Sequence, residues 1–228
     1  MPEEPVSCRE TLVRTTRNVL RSATSETPLL RLLDTARQAT DAVHPLPGAT
    51  ELACAAGCAF CCHHPVDMTI PEALAIAAYL RAERSPSELA ATHHRIATQA
   101  DQLQGLSYET HAQAKMPCAL LVDGVCSVYP VRPFGCRAWN STSVARCEDI
   151  HTHGDPVTMI PPLDMTVYEA VWEVARGVAQ GVKQSRLDGA SYELHSVLRR
   201  ALDTPDATER WLRGETVFAG CTVGAFSE

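Results

Sequence analysis

The 228-residue sequence contains very little lysine and no long apolar run. Its only lysines are Lys115 and Lys183, and its formal net charge is -7, so it lacks the clustered positive charge that displaces counterions from nucleic acids. No segment approaches the ~20 consecutive apolar residues that a membrane-spanning helix requires. The first residues, MPEEPVSC, have no apolar stretch after a basic one, unlike a signal peptide. We therefore expect a cytoplasmic protein that binds neither nucleic acids nor membranes.

Cysteine, by contrast, is abundant, with ten residues. Disulfides are rarely maintained in the reducing cytoplasm, and a chain of this length can bury a core without covalent cross-links. The hydrophobic fraction of 45% and the charged fraction of 21% are those of an ordinary globular protein. Dense cysteine in such a chain indicates metal binding or redox chemistry rather than a disulfide scaffold.

Helical patterns flank the cysteine-rich middle of the chain. Capping-box spacing predicts helix starts at three places, and apolar residues recur at helical intervals after each of them. The three pairs are Ser7–Glu10, Thr69–Glu72 and Ser85–Glu88. A further helix should begin at Thr27-Pro28, and valines from Val167 to Val182 predict a long helix near the C-terminus. We therefore predict a mainly α fold.

Residues 117–163 differ from the rest because they are rich in proline and glycine and lack helical periodicity. Four cysteines lie in this stretch, so we expect a bound metal to organise a loop-rich region. The predicted organisation is N-terminal helices over 1–53, a cysteine-cluster region with embedded helices over 54–163, and C-terminal helices over 164–228 packed on the same core. The stretch PVDMT, which leads into the second capping box, should be a short extended segment.

Eight cysteines form two groups. The first has the pattern C-x3-C-x2-C-C, and the second has 7, 9 and 10 residues between successive members. The groups are Cys54, Cys58, Cys61 and Cys62, and Cys118, Cys126, Cys136 and Cys147. Side chains of adjacent residues diverge in regular structure, so either one of Cys61 and Cys62 is not a ligand or the pair bridges two centres. Eight thiolates suffice for two four-thiolate centres, or for one centre and a redox pair.

Ligand type alone leaves several chemistries open, since four cysteines suit zinc and iron–sulfur clusters alike. Zinc knuckles usually contain two similar C-x2-C pairs, and the asymmetric spacing here is closer to that of cluster-binding segments. We therefore expect an iron–sulfur cluster of the 4Fe–4S type, with zinc as the alternative and redox-active thiols as a third possibility.

The segment CAAGCAFC also resembles the cluster motif of radical S-adenosylmethionine enzymes, in which three cysteines leave one iron open for the cosubstrate. The sequence has neither the alternating strand–helix pattern nor the cosubstrate-binding glycine motif of those enzymes. The resemblance therefore does not extend to their fold, although an open iron position does not depend on that fold.

A longer resemblance covers about residues 54–147. The segments CAAGCAFCC, VDMTIPEALAIAAYL and PCALLVDGVCSVYPVRPFGCRAW are similar to the YkgJ-type cysteine-cluster proteins, which are described as zinc- or iron-chelating domains and are related to flagellin lysine N-methylase. The resemblance implies that seven cysteines bind metal, and Cys147 is included at a less regular position. The seven are Cys54, Cys58, Cys61, Cys62, Cys118, Cys126 and Cys136.

Other polar residues lie next to the cysteines. Arg132 and Arg137 bracket Cys136 and could donate hydrogen bonds to a cluster, bind a substrate carboxylate, or tie the loop to the fold. His63, His64 and His151 are further candidate ligands. Two classes of function follow: redox or S-adenosylmethionine-dependent chemistry on an unknown small molecule or protein, or a structural, metal-sensing or metal-handling module without catalysis.

Overall fold

A computed structural model describes residues 7–42, 51–55 and 57–225, and helices dominate these residues. They confirm the predicted mainly α class. The α-helices are α1 (Cys8–Ser22), α2 (Glu26–Asp41), α3 (Ile70–Glu83), α4 (Pro86–Leu103), α5 (Tyr108–Ala114), α6 (Phe134–Ala138), α7 (Val144–His153), α8 (Met165–Gln184), α9 (Leu194–Asp203) and α10 (Ala207–Leu212).

The strands are few and short. The predicted extended segment is β1 (Asp67–Thr69), which pairs antiparallel with the distant β4 (Ser191–Glu193). A small hairpin joins β2 (Leu121–Val122) to β3 (Val125–Cys126). In this antiparallel pair Thr69, which precedes α3, lies opposite Ser191, and Glu193, which precedes α9, lies opposite Asp67.

The predicted capping boxes are present at all three pairs, Ser7–Glu10, Thr69–Glu72 and Ser85–Glu88. They could be predicted because a capping box satisfies backbone groups within one turn of chain and needs no distant partner. Helix α2 begins at Glu26, one residue before the predicted start.

Helices α1 and α8 pack at close range through glycine. A Cβ atom added to Gly181 would lie 2.5 Å from Thr16 Cβ, and one added to Gly177 would lie 2.8 Å from Leu12 Cβ. The valine pattern correctly predicted the buried face of α8. It did not predict that glycines on the same helix let α1 approach.

The core combines residues from both ends of the chain with α3. Leu74, Ile76 and Leu80 of α3 pack in one buried cluster with Leu29 of α2 and Leu198 of α9. A second cluster joins α1, α2, α6 and α8. The cysteine-bearing segments therefore lie on a scaffold built from helices before and after them.

The predicted loop-rich region over 117–163 contains the two helices α6 and α7, and most of its residues lie outside α-helices. Helix α7 buries only Ile150 among its ten residues, so its sequence contains no apolar periodicity to reveal it. Its start is defined instead by Ser143, whose hydroxyl accepts a hydrogen bond from the Arg146 amide at 3.3 Å.

No helix in the described residues combines the length and the apolar composition that crossing a membrane requires. Parts of the predicted N-terminal and C-terminal blocks, namely residues 1–6, 43–50 and 226–228, lie outside the described residues.

Candidate metal centre

The first cysteine segment ends in a single 3-10 turn, Phe60–His63, that presents Cys61 and Cys62. The Cys62 carbonyl oxygen accepts a hydrogen bond from the Cys118 amide at 2.8 Å. This one backbone contact brings the second cysteine group to the first.

The β2–β3 hairpin places the next two thiols. Its turn contains Asp123 and Gly124, both with positive φ, and Leu121 pairs with Cys126 across the two strands. The Cys118 carbonyl oxygen accepts a hydrogen bond from the Leu121 amide at 2.9 Å. Cys118 and Cys126 therefore lie at the base of the same hairpin.

Helix α6 brings Cys136 to the same place. The Phe134 amide, at the start of α6, donates a hydrogen bond to Glu72 Oε1 at 2.8 Å. The other carboxylate oxygen of Glu72 accepts from the Thr69 amide at 2.8 Å, as in the capping box at the start of α3. A single buried carboxylate thus connects the first turn of α3 to the helix that carries Cys136.

Four of the thiols interact electrostatically with one another, and we call Cys61, Cys118, Cys126 and Cys136 the inner thiols. Burial raises the pKa of Cys136, and neighbouring charge at the other three inner thiols raises it further. Burial likewise raises the pKa of Cys118 to about 11 and raises that of Cys126. These thiols are therefore protonated near neutral pH, and a metal that binds them must displace their protons.

Three more thiols form a second set, and we call Cys54, Cys58 and Cys147 the outer thiols. Burial, with added like charge from other cysteines, raises the pKa of Cys58 and of Cys147. Cys54 is exposed, and its sulfur accepts a hydrogen bond from the Ser141 amide at 3.2 Å. Cys147, on α7, accordingly groups with the first cysteine segment and not with its own neighbours in sequence.

Cys61 and Cys62, whose side chains we expected to diverge, share a hydrogen bond between their thiols in the tight 3-10 turn. This bond, followed by burial and by charge at Cys62, raises the pKa of Cys61. Cys61 also interacts with thiols of both sets, since it contributes to the raised pKa of Cys58 and of Cys147. It lies at the junction between them.

The two predicted arginines have different environments. The positive charge of Arg132 acts on Cys61, Cys126 and Cys136 and favours their thiolate forms. Burial and the like charge of neighbouring thiolates have the opposite effect at these three residues. Arg137 instead donates hydrogen bonds to Asp41 Oδ1 at 2.5 Å and to the Pro130 carbonyl oxygen at 2.7 Å. Arg132 is therefore the arginine that stabilises charge on the thiols, and Arg137 holds the chain that precedes Cys136.

Two of the predicted histidines lie against each other near the outer thiols. The rings of His63 and His151 have centroids 4.4 Å apart, while His64 lies 5.9 Å from the Trp139 ring. His63 Nδ1 lies 3.1 Å from the Ala59 carbonyl oxygen, which can only accept a hydrogen bond, so Nδ1 is the donor. Burial lowers the pKa of His151, which favours the neutral imidazole that metals bind.

Residues that hold the cysteine- and histidine-bearing segments in place were not identifiable from the sequence. His195 Nε2 accepts a hydrogen bond from the Ala119 amide at 3.3 Å, and Lys115 Nζ donates to the His151 carbonyl oxygen at 2.7 Å. Each joins parts of the chain that are far apart in sequence, and no local motif signals such a contact.

All ten cysteines are free thiols. Within residues 7–42, 51–55 and 57–225, no group of three or more histidine, cysteine, aspartate or glutamate side chains is arranged to hold a metal ion. The chemistry of the donors nevertheless fits one, since soft sulfur donors are collected beside a guanidinium that favours their charged form.

A protein-family match covers the part of the chain that contains these cysteines. Residues 53–154 match a family model described as "CxxCxxCC: Putative zinc- or iron-chelating domain". This segment is similar to the CxxCxxCC family. It amounts to a little under half of the chain and contains all eight clustered cysteines together with Arg132, Arg137 and the three candidate histidines. The family description supports metal binding and leaves zinc and iron as alternatives. No curated protein and no solved structure matches the chain.

Proposed function

We propose that the inner thiols ligate an iron–sulfur cluster, and that the protein is a redox-active metalloprotein. The observation that carries the proposal is the convergence of Cys61, Cys118, Cys126 and Cys136 from three separate elements, close enough for charge at the other three to raise the pKa of Cys136. The metal-free protein avoids this repulsion by keeping the thiols protonated, and a shared cation would make the four thiolates favourable together.

Ligand spacing supports a cluster over a single zinc ion. The first segment has C-x3-C-x2-C-C spacing, and the second has intervals of 7 and 9 residues between inner thiols, so the paired C-x2-C knuckles of zinc ribbons are absent from the sequence. Four thiolates bring much negative charge into a partly buried place. Arg132 offsets part of it, as donors and cations around cluster sulfurs commonly do.

The outer thiols give the centre a second component. Cys54, Cys58 and Cys147 interact with one another and with Cys61, and the His63–His151 pair lies on the same 3-10 turn and helix. We propose that they either complete a second centre or act as a redox thiol pair next to the first one. The number of metal atoms bound per chain distinguishes the two.

The first experiment is anaerobic purification, followed by the visible spectrum and elemental analysis for iron, zinc and acid-labile sulfide. Matched iron and sulfide, with absorption that dithionite bleaches and air restores, is the expected result. Stoichiometric zinc in a colourless protein would contradict the cluster and support a structural or metal-handling module.

Serine variants then assign the ligands. Cys136→Ser should lose most of the iron and sulfide, because its thiol belongs to the inner set. Cys54→Ser should lose metal only if the outer thiols hold a second centre. Cys8→Ser, an exposed cysteine on α1, is the matched control and should retain the full content. Full metal in Cys136→Ser would rule out the inner thiols as the ligand set.

A further inference from the structure

A cleft of about 400 Å³ lies beside the inner thiols, and we call it the arginine cleft. Its size falls within the range typical of small-molecule sites. Its polar side is formed by both predicted arginines, and its apolar side by a proline and two valines of α8. The lining residues are Thr40, Asp41, Tyr129, Pro130, Arg132, Arg137, Asn140, Val167 and Val171.

Arg137 is a fixed cation in this cleft. Its side chain is 7% exposed and donates hydrogen bonds to Asp41, to the Pro130 carbonyl and, at 3.4 Å, to the Arg132 carbonyl. The Asn140 side-chain amide donates to the Arg137 carbonyl. The guanidinium is thus positioned before any ligand arrives, which lowers the entropic cost of binding.

Arg132 has unused hydrogen-bonding capacity. Its guanidinium carbon lies 4.2 Å from the centre of the Tyr129 ring, and its Nε–H is buried without a hydrogen-bond partner among the described residues. A buried donor without an acceptor is costly, and it is uncommon in folded proteins. The group is held in place by stacking, and its guanidinium lines the cleft.

The charges of the cleft leave an excess of one positive charge. Asp41 neutralises one of the two arginines, and Arg132 is close enough to Arg137 for their like charges to oppose each other. A monoanion would balance this excess, whereas a dianion would overcompensate it.

From these contacts we propose that the arginine cleft binds a small organic carboxylate, with the carboxylate on Arg132 and its carbon skeleton against Pro130, Val167 and Val171. The planar fork of arginine matches a carboxylate in two parallel hydrogen bonds. Because Arg132 also acts on the inner thiols, a bound carboxylate would lie next to the proposed centre. The binding itself requires no metal, so it is testable whether or not the cluster is found.

The probe is benzoate, titrated into metal-free, reduced protein at low ionic strength, with the neutral isostere benzamide and inorganic phosphate as comparisons. Binding is followed by calorimetry and by the NMR signal of the Arg132 Nε–H, identified by its loss in Arg132→Gln. Benzoate should shift this signal, since the proton gains an acceptor, and should bind more tightly than either comparison compound. Equal binding of benzamide would overturn the proposal, and tighter binding of phosphate would overturn the choice of a carboxylate.

Two variants move the affinity in opposite directions. Arg132→Gln should weaken benzoate binding by about tenfold or more, because a charged hydrogen-bond donor is lost. Asp41→Asn should strengthen it by about two- to fivefold, because a negative charge that lines the cleft and repels the anion is removed. A gain of affinity cannot arise from damage to the fold. Unchanged affinity in both variants would overturn the proposal.

Arg176→Gln is the matched control. Arg176 lies on α8, as Val167 and Val171 do, but forms an exposed ion pair with Glu173 and does not line the cleft. Its benzoate affinity should equal that of the unmodified protein. A loss as large as that of Arg132→Gln would show a non-specific charge effect and overturn the assignment to the cleft.

Discussion

The Cys118 amide donates a hydrogen bond to the Cys62 carbonyl oxygen, with 2.8 Å between nitrogen and oxygen. The next amide, that of Ala119, donates to His195 Nε2. Two successive backbone groups therefore fix the second cysteine group against the first one and against α9. The approach of the two cysteine segments is thus stabilised by contacts within the protein itself.

Removal of metal should loosen residues 117–163 before it affects the flanking helices. Loss of a ligand that was present at 100 times its Kd removes about 2.7 kcal/mol of stability, so local exchange could accelerate up to about a hundredfold. We expect faster hydrogen exchange in α6 and α7 after chelation. The Cys118 and Ala119 amides should remain protected, because their acceptors belong to the protein.

Hydrogen exchange with mass spectrometry, with and without chelator, measures this directly. Peptides from α8 are the internal reference, since α8 packs on α1 and carries no cysteine. Equal protection of α6 and α7 in both states would mean that metal does not organise this region.

The sequence analysis succeeded where the determining contacts are local. The capping boxes at Ser7, Thr69 and Ser85 each close within one turn, so short-range spacing sufficed to predict them. The grouping of Cys147 with Cys54 could not be predicted, because it depends on α7, a helix with almost no apolar face. Similarly, the contact of Glu72 with the start of α6 is a distant one that no spacing rule signals.

Glu193 should make the stability of the protein depend on acid pH. It is buried, and its carboxylate accepts hydrogen bonds from His195 Nδ1 at 2.6 Å and from the amides of His195 and Ser196. Burial alone would raise the pKa of Glu193, but these hydrogen bonds outweigh it and hold the pKa below the usual 4.5. The stabilisation is therefore fully present above pH 4.5 and is lost as pH falls through the lower folded-state pKa.

Glu193→Gln should lower the free energy of unfolding at pH 7 by about 2 kcal/mol, because it weakens charge-assisted hydrogen bonds in a buried place. The difference from the unmodified protein should shrink as pH falls below 4.5, where the unfolded-state carboxylate takes up its proton. Urea unfolding at a series of pH values, with both proteins in the same metal state, tests this. A pH-independent difference would show that the charge of Glu193 does not stabilise the fold. Glu173→Gln, on the exposed face of α8, is the control and should have little effect at any pH.

Gly181 should be intolerant of a methyl group even though it lies inside a helix. Alanine is intrinsically the better helix former by about 1 kcal/mol. Its Cβ, however, would lie 2.5 Å from Thr16 Cβ and 3.0 Å from the Val13 carbonyl oxygen, and this carbonyl belongs to the rigid backbone of α1. Overpacking of this kind costs about 1–3 kcal/mol, so the α1–α8 contact must widen.

We therefore expect Gly181→Ala to lower the free energy of unfolding by up to about 2 kcal/mol, because the helix-propensity gain of about 1 kcal/mol offsets part of the overpacking cost. Gln184→Ala, at an exposed position at the end of the same helix, is the matched control and should leave stability nearly unchanged. Urea unfolding of both variants measures the difference. If Gly181→Ala were as stable as the unmodified protein, α1 would have to move away from α8 without loss of packing, and the close contact would not be needed for the fold.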